Sequence, residues 1–182
     1  TLNASAGGSI GSTASELNIN VSVLGNISSA GENGVIALYN INTNALSLDH
    51  LTQTGADSSA YVRSRGDLDA TNLQTGQNNL SLVSGGTQTL AATGIEAAGA
   101  VTLTGTADVV AAGAEPRALS VKAGSLSFNS GTAGGDTTLD TQVASLDATQ
   151  TGTGTGKLSV SNTGDLDATA DWQGALDVHA DG

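Results

Sequence analysis

Short runs in which apolar and polar residues alternate recur along this chain about once every 20 residues. Alternation with a period of two places every second side chain on one face, as in a β-strand with one buried face. The segments between the runs are rich in Gly, Ser, Thr, Asn and Asp, and no segment has the 3.6-residue period of an amphipathic helix. The runs begin at Ile19, Ile36, Ala60, Leu80, Val101, Leu119, Leu139, Leu158 and Leu176.

Most of these runs are followed by a second alternating pair, so each repeat contains at least two short strands. The second pairs are Leu68/Ala70, Val109/Ala111, Leu126/Phe128, Leu146/Ala148 and Leu166/Ala168. Near the end of the chain the alternation predicts an inward and an outward set of side chains. The inward set is Leu158, Val160, Leu166 and Ala168, and the outward set is Ser159, Asp165 and Asp167.

Identical short sequences support a single period. Leu-Asp-Ala-Thr occurs at 68–71, 146–149 and 166–169, and the first and last copies extend to Gly-Asp-Leu-Asp-Ala-Thr. The offsets of 78, 20 and 98 residues all fit a period of 19 to 20 residues. A unit this short cannot bury a core alone, whereas stacked units bury a continuous one.

The pattern therefore predicts an all-β fold, a right-handed parallel β-helix of about nine coils of roughly 20 residues. Residues 1–182 are expected to form one β-helix repeat segment, a fragment of a much longer shaft. The wide interval between the runs at Ile36 and Ala60 predicts an extra loop within residues 44–58.

Composition narrows the possible functions. The 182 residues include 25 Gly, one Pro, four aromatic residues, and neither Cys nor Met. The absence of cysteine excludes a disulfide scaffold and a cysteine-ligated metal. A net charge of −12 argues against nucleic acid and against an anionic membrane surface as partners. No stretch is long and apolar enough to span a bilayer, so we expect no membrane insertion by this segment.

Three segments carry a resemblance to a known group of proteins: ALSVKAGSLSFNS at 118–130, KLSVSNTGDLDATADWQG at 157–174 and AVTLTGTADVVAAG at 100–113. They resemble the repeats of filamentous haemagglutinin-like exoproteins, which are large adhesins that Gram-negative bacteria export by two-partner secretion. The resemblance covers nearly the whole chain, although its motif is loose.

The resemblance implies a structural shaft of a secreted or cell-surface adhesin, located outside the outer membrane and connected with virulence and biofilm formation. The full-length protein would contact a receptor on a host or neighbouring cell, or an extracellular polysaccharide. No catalytic residue and no cofactor are expected. The alternatives are a β-helical carbohydrate-active enzyme and the stalk of a contact-dependent toxin exoprotein. The enzyme would require Asp together with Arg or Lys lining a groove across consecutive coils.

Aspartates are the first candidate site. If the two Leu-Asp-Ala-Thr copies at 146–149 and 166–169 pair in register, Asp147 and Asp167 lie on adjacent coils about 4.8 Å apart, with Asp165 nearby. Such carboxylates could hold a weak surface Ca²⁺, but calcium takes six to eight oxygen ligands and the sequence guarantees only two to four. We therefore expect surface aspartates and no required metal.

The remaining candidates are single residues or pairs. Trp172 lies outside the alternating runs, where it could stack on a sugar ring or, as we favour, cover the apolar edge of a turn. Arg63 and Arg65 are expected to share an outward face with Asp67 and Asp69. Asn-x-Ser sequons, each a potential glycosylation site, begin at Asn3, Asn20, Asn26 and Asn79.

Overall fold

A computed structural model describes residues 1–70, 73–75 (backbone only), 78–90, 94–112, 118–132 and 135–182. These residues contain strands and turns, and no helix. The twenty strands are β1 Leu2–Ala6, β2 Leu17–Ile19, β3 Val23–Ser29, β4 Val35–Asn40, β5 Leu46–Gln53, β6 Ser59–Ser64, β7 Leu68–Ala70, β8 Leu73–Thr75, β9 Asn79–Ser84, β10 Gln88–Leu90, β11 Ile95–Glu96, β12 Ala100–Gly105, β13 Val109–Ala111, β14 Leu119–Lys122, β15 Ser125–Ser130, β16 Thr137–Gln142, β17 Ser145–Gln150, β18 Leu158–Thr163, β19 Asp167–Asp171 and β20 Leu176–Asp181.

The strands form two parallel sheets along the molecule. Sheet B contains β2, β4, β6, β9, β12, β15, β17 and β19, and sheet A contains the other twelve. Each coil passes through both sheets and pairs with its neighbours, and three coils contribute two short strands each to sheet A (β7 and β8, β10 and β11, β13 and β14). The fold is a parallel β-solenoid of about 8 turns of about 21 residues, which confirms the predicted fold class.

The runs from which about nine coils of roughly 20 residues were predicted change sheet part-way along the chain. Val101 lies in sheet B and pairs with Leu80 and Leu126. Leu119 lies in sheet A and belongs to the same coil as Val101. The structure has about 8 turns of about 21 residues, close to that prediction.

The predicted loop within residues 44–58 is wrong over most of its length, because β5 occupies Leu46–Gln53. Leu46, Leu48 and Leu51 are all fully buried. The spacing from Leu48 to Leu51 is three residues, so the alternation changes phase inside the strand. That irregularity concealed the strand from a search for period two.

The core is a continuous stack of aliphatic side chains between the two sheets. Leu158 and Val160 are buried as predicted, and Asp165 and Asp167 are exposed. Leu166 is half-buried, whereas Ala168 is exposed although it pairs with the buried Leu146. Ala168 belongs to β19, the outermost strand of sheet B, and no further strand covers it in this structure.

Polar side chains also point inward, at the corner where strands of sheet B end. A column of paired strand-end residues consists of Asn40, Ser64, Ser84, Gly105, Ser130 and Gln150. The amide of Asn40 donates to Val21 O (3.0 Å) and accepts from Val21 N (3.1 Å). Ser84 Oγ lies 3.0 Å from the carbonyl oxygens of both Gly66 and Thr87, and its single O–H is shared between them. These side chains supply partners for backbone groups that leave the ladder at the turn.

Candidate functional site: the outer faces of the two sheets

The two Gly-Asp-Leu-Asp-Ala-Thr copies do not occupy equivalent places in the solenoid. In the first copy, Leu68 to Ala70 form β7 in sheet A, and Thr71 lies outside the described residues. In the second copy, β19 begins at Asp167 in sheet B. The offset of 98 residues is therefore not a whole number of coils, and the repeated letters do not mark a repeated site.

The predicted pairing of Asp147 with Asp167 is wrong by two residues. Asp167 pairs with Ser145, and Asp147 pairs with Thr169. The two carboxylates are diagonal neighbours on the rim of a shallow depression of about 320 Å³ on sheet B, and Asp165 lies just before the strand. Within the described ranges, no group of three or more His, Asp or Glu is placed to hold a metal ion.

Several Asp and Asn residues instead join one coil to the next. The side-chain Oδ1 of Asp67 accepts from Thr87 N (2.8 Å), and that of Asp136 accepts from Lys157 N (2.8 Å). The same role is taken by Asn3 towards Asn26 N and by Asn79 towards Ala100 N. Two of the four sequon asparagines are thus hydrogen-bonded across coils, whereas Asn20 is an exposed residue between strands.

Trp172 lies outside the strands, as its sequence context indicated. Its ring is partly buried with its centroid 6.2 Å from that of Phe128, and its Nε1 donates to Gly156 O (2.9 Å). Both the apolar ring and the polar N–H therefore have partners within the chain.

A depression of about 390 Å³ lies on the outer face of sheet A across four consecutive coils. Charged and hydroxyl side chains line it: Glu96, Ser120, Lys122, Asp140, Ser161 and Thr163. Lys122 pairs in register with Glu96, and their side chains form an exposed ion pair of 3.4 Å. Asp140 is flanked in its row by Ser120 and Ser161.

The row that contains Asp140 and Ser161 continues to His179 on β20. His179 Nε2 lies 2.7 Å from Asp181 Oδ1, and both side chains are largely exposed. The sequence alone did not predict that the residues of this depression lie together, because those on successive coils are about 20 residues apart in the chain. Only the register of the sheets brings Lys122, Asp140 and Ser161 to one face.

Arg63 does not share its face with Asp67 and Asp69. Asp69 lies on β7 in sheet A and Asp67 at the turn before it, whereas Arg63 lies on β6 in sheet B. The partner of Arg63 is Glu16, with Nη2 and Oε2 2.5 Å apart. The guanidinium also lies over the ring of Tyr39, 3.9 Å from its centroid. The hydrogen bond to Glu16 is the main cause that raises the pKa of Arg63 above its usual value.

No protein-family model, curated protein or solved structure matches this chain. Over the residues that the structure describes, no helix is long and apolar enough to cross a membrane.

Proposed function

We propose that this chain is a stiff spacer segment, a shaft that holds other regions of a larger surface protein away from the cell. The observation that carries the proposal is the continuity of the stack. The aliphatic core runs from Leu24 to Val160, and parallel pairing joins successive coils from β1 to β20. Each coil contacts its neighbours along both sheets, so bending the rod requires the separation of packed layers.

The protein to which the spacer belongs is, in this proposal, a secreted or surface-anchored bacterial adhesin of the filamentous haemagglutinin-like group. The support is the resemblance of segments 100–113, 118–130 and 157–174 to the repeats of those exoproteins. The full-length protein would make contact with a cell receptor or an extracellular polysaccharide. The shaft sets the distance over which that contact is made.

Tandem duplication of residues 1–182 within the complete reading frame tests the spacer function. Eight coils at about 4.8 Å each add roughly 38 Å of shaft. Electron cryotomography of the producing cell should place a tag beyond the segment farther from the outer membrane by that length. A control insertion of equal residue number but of flexible Gly and Ser composition should give no fixed increment. An unchanged tag distance after duplication contradicts the proposal.

A second candidate function is a carbohydrate-active enzyme that uses the depression on sheet A. The observation that favours it is the presence of Glu96, Lys122 and Asp140 on consecutive coils, which is the arrangement expected for that alternative. Paired carboxylates are the usual means of cleaving a glycosidic bond. Release of reducing sugar from polysaccharides, abolished in Asp140→Asn and retained in Asp147→Asn, would establish it.

A further inference from the structure

Aromatic residues are scarce in this chain, and two of the four lie together on the outer face of sheet B. Tyr39 and Tyr61 are half-buried side chains on the adjacent strands β4 and β6. Tyr39 pairs in register with Arg63, and Ala37 pairs with Tyr61, so the two tyrosines are diagonal neighbours roughly 8 Å apart at Cβ. The next positions along the Tyr61 row are Ser81 and Thr102, which are small.

A short loop borders these tyrosines. Ile10 bridges to Ile36 and Leu17 pairs with Leu38, so the six residues 11–16 stand opposite the single residue Ala37. Ser12 and Ser15 exchange backbone hydrogen bonds at 3.0 and 3.1 Å, which closes the loop on itself. Gly11 has φ of 76° and packs against the Ala37 carbonyl, a geometry that favours glycine. Ala37 is fully buried although its row faces outward.

Glu16 ends this loop and fixes its position. Its carboxylate holds Arg63 two coils away, and Arg63 in turn lies over Tyr39. The Glu16 side chain is 14% exposed and that of Arg63 is 40% exposed, so the arginine is the more accessible partner of the pair. The cluster thus offers the ring of Tyr61 beside a carboxylate and a guanidinium whose charges compensate each other, while Arg63 covers one face of Tyr39.

We propose that Tyr39, Tyr61, Arg63 and Glu16 form a binding site for an uncharged oligosaccharide. Sugar rings present apolar C–H faces that pack on tyrosine rings, and their neighbouring hydroxyls pair with a carboxylate and a guanidinium. The site stands independently of the spacer function and of the depression on sheet A.

Charge and topology select this ligand over two others. The chain carries a net charge of −12, and Arg63 is already neutralised by Glu16, so an acidic polysaccharide would be repelled. A peptide that binds by strand addition needs a free sheet edge. Strand β4 is paired with β2 and β6, and β6 is paired with β4 and β9, so neither offers one.

The two tyrosines are the only ones in the chain, which makes a direct test possible. Protein with ¹³C-labelled tyrosine and phenylalanine is titrated with cellohexaose, maltohexaose and chitohexaose in turn, at millimolar concentration. We expect at least one of these to shift both tyrosine ring signals with a saturable curve, while the ring signals of the buried Phe128 stay fixed. Oligogalacturonate of similar length is the anionic control ligand and should cause no saturable shift of the tyrosine signals.

Variants distinguish the loss of the binding site from the loss of the folded structure. Tyr61→Ala should weaken the affinity for the active oligosaccharide by about tenfold, and Tyr61→Phe should retain most of it. Thr102→Ala, two coils along the same row, is the matched control and should bind as the parent does. The proposal is overturned if none of the three neutral oligosaccharides shifts a tyrosine signal, if only oligogalacturonate does so, or if Tyr61→Ala binds as tightly as Thr102→Ala.

Discussion

At the residue scale, the acidic character of the chain has a structural use. Several carboxylates and side-chain amides each accept a hydrogen bond from a backbone N–H about 20 residues later in the chain. Asp67 and Asp136 do so from turns, Asn79 from the first residue of β9 and Asn3 from within β1. At the turns, such a residue joins one coil to the next where the pairing of strands has ended. The aspartates that face solvent from strands, such as Asp147, have no such role.

This difference predicts unequal effects of two similar substitutions. Asp136→Ala should lower the free energy of unfolding by about 1 kcal/mol, because it removes the acceptor for Lys157 N. Asp147→Ala should change it by less than about 0.5 kcal/mol, because the side chain is exposed and opposite Thr169. Denaturant titrations of both variants measure the difference. Equal losses would show that the coil-to-coil hydrogen bond contributes nothing.

A second residue-scale prediction concerns Gln88, which is fully buried. It pairs in register with Leu68 and Val109, and neither amide atom has a hydrogen-bond partner in the part of the chain that the structure describes. Gln88→Leu should therefore raise the free energy of unfolding by about 1–3 kcal/mol, because an unpaired buried amide is replaced by an apolar group of similar size.

Gln53 is the matched control for that substitution, because it is equally buried but hydrogen-bonded. Its Nε2 donates to Ser59 O (2.7 Å) and Gly34 O (3.2 Å). Gln53→Leu should remove both hydrogen bonds and lower the midpoint of thermal unfolding. If both leucine variants shift the midpoint in the same direction, the two environments do not differ as described.

At the scale of the element, the sequence was sufficient for most strands, with β5 an exception, but not for their register. Alternation located most strands correctly, because burial on one face imposes period two whatever the neighbours are. Register depends on turn lengths, which vary from coil to coil. Leu146-Asp147-Ala148 therefore lies opposite Ala168-Thr169-Ala170 and not opposite the identical letters two residues earlier. The depression at Asp140 and the cluster at Tyr61 both required that register, so the sequence alone could not predict them.

The inward and outward faces of β18 provide a prediction at this scale. Leu158→Asn should lower the free energy of unfolding by about 4 kcal/mol, because the new amide replaces a fully buried aliphatic group. Ser159→Asn introduces the same side chain on the outer face and should cost less than about 1 kcal/mol. Asparagine is chosen instead of aspartate because a carboxylate at position 159 would lie opposite Asp177, its neighbour on β20. Similar melting temperatures for the two variants would contradict the assigned faces.

At the scale of the whole molecule, the structure is held together by neighbouring coils rather than by any single centre. The outer carboxylates are distributed along both sheets, and the residues described include no metal-ligating group of three. Surface charges at such spacings are largely screened at physiological salt. Stability should consequently depend on the stack and not on a bound ion.

We therefore expect the melting temperature to be the same in millimolar Ca²⁺ and in excess chelator, once ionic strength is matched with Mg²⁺ or Na⁺. A structural calcium would bind the folded chain and not the unfolded one, so its removal would lower the melting temperature in a concentration-dependent way. A calcium-specific stabilisation that disappears in the double variant Asp147→Asn with Asp167→Asn would identify a metal site at these residues after all.

The loop at residues 11–16 also has a consequence for how such a molecule can evolve. Six residues take the place of one, yet the pairings on either side, Ile10 with Ile36 and Leu17 with Leu38, are both parallel, as in the rest of the sheet. Extra length is thus accommodated between two pairings of the same sheet. Selection can lengthen, shorten or replace the surface of one coil while the aliphatic stack stays constant. Related β-solenoids can therefore differ in their surface loops while they keep the same core and the same fold.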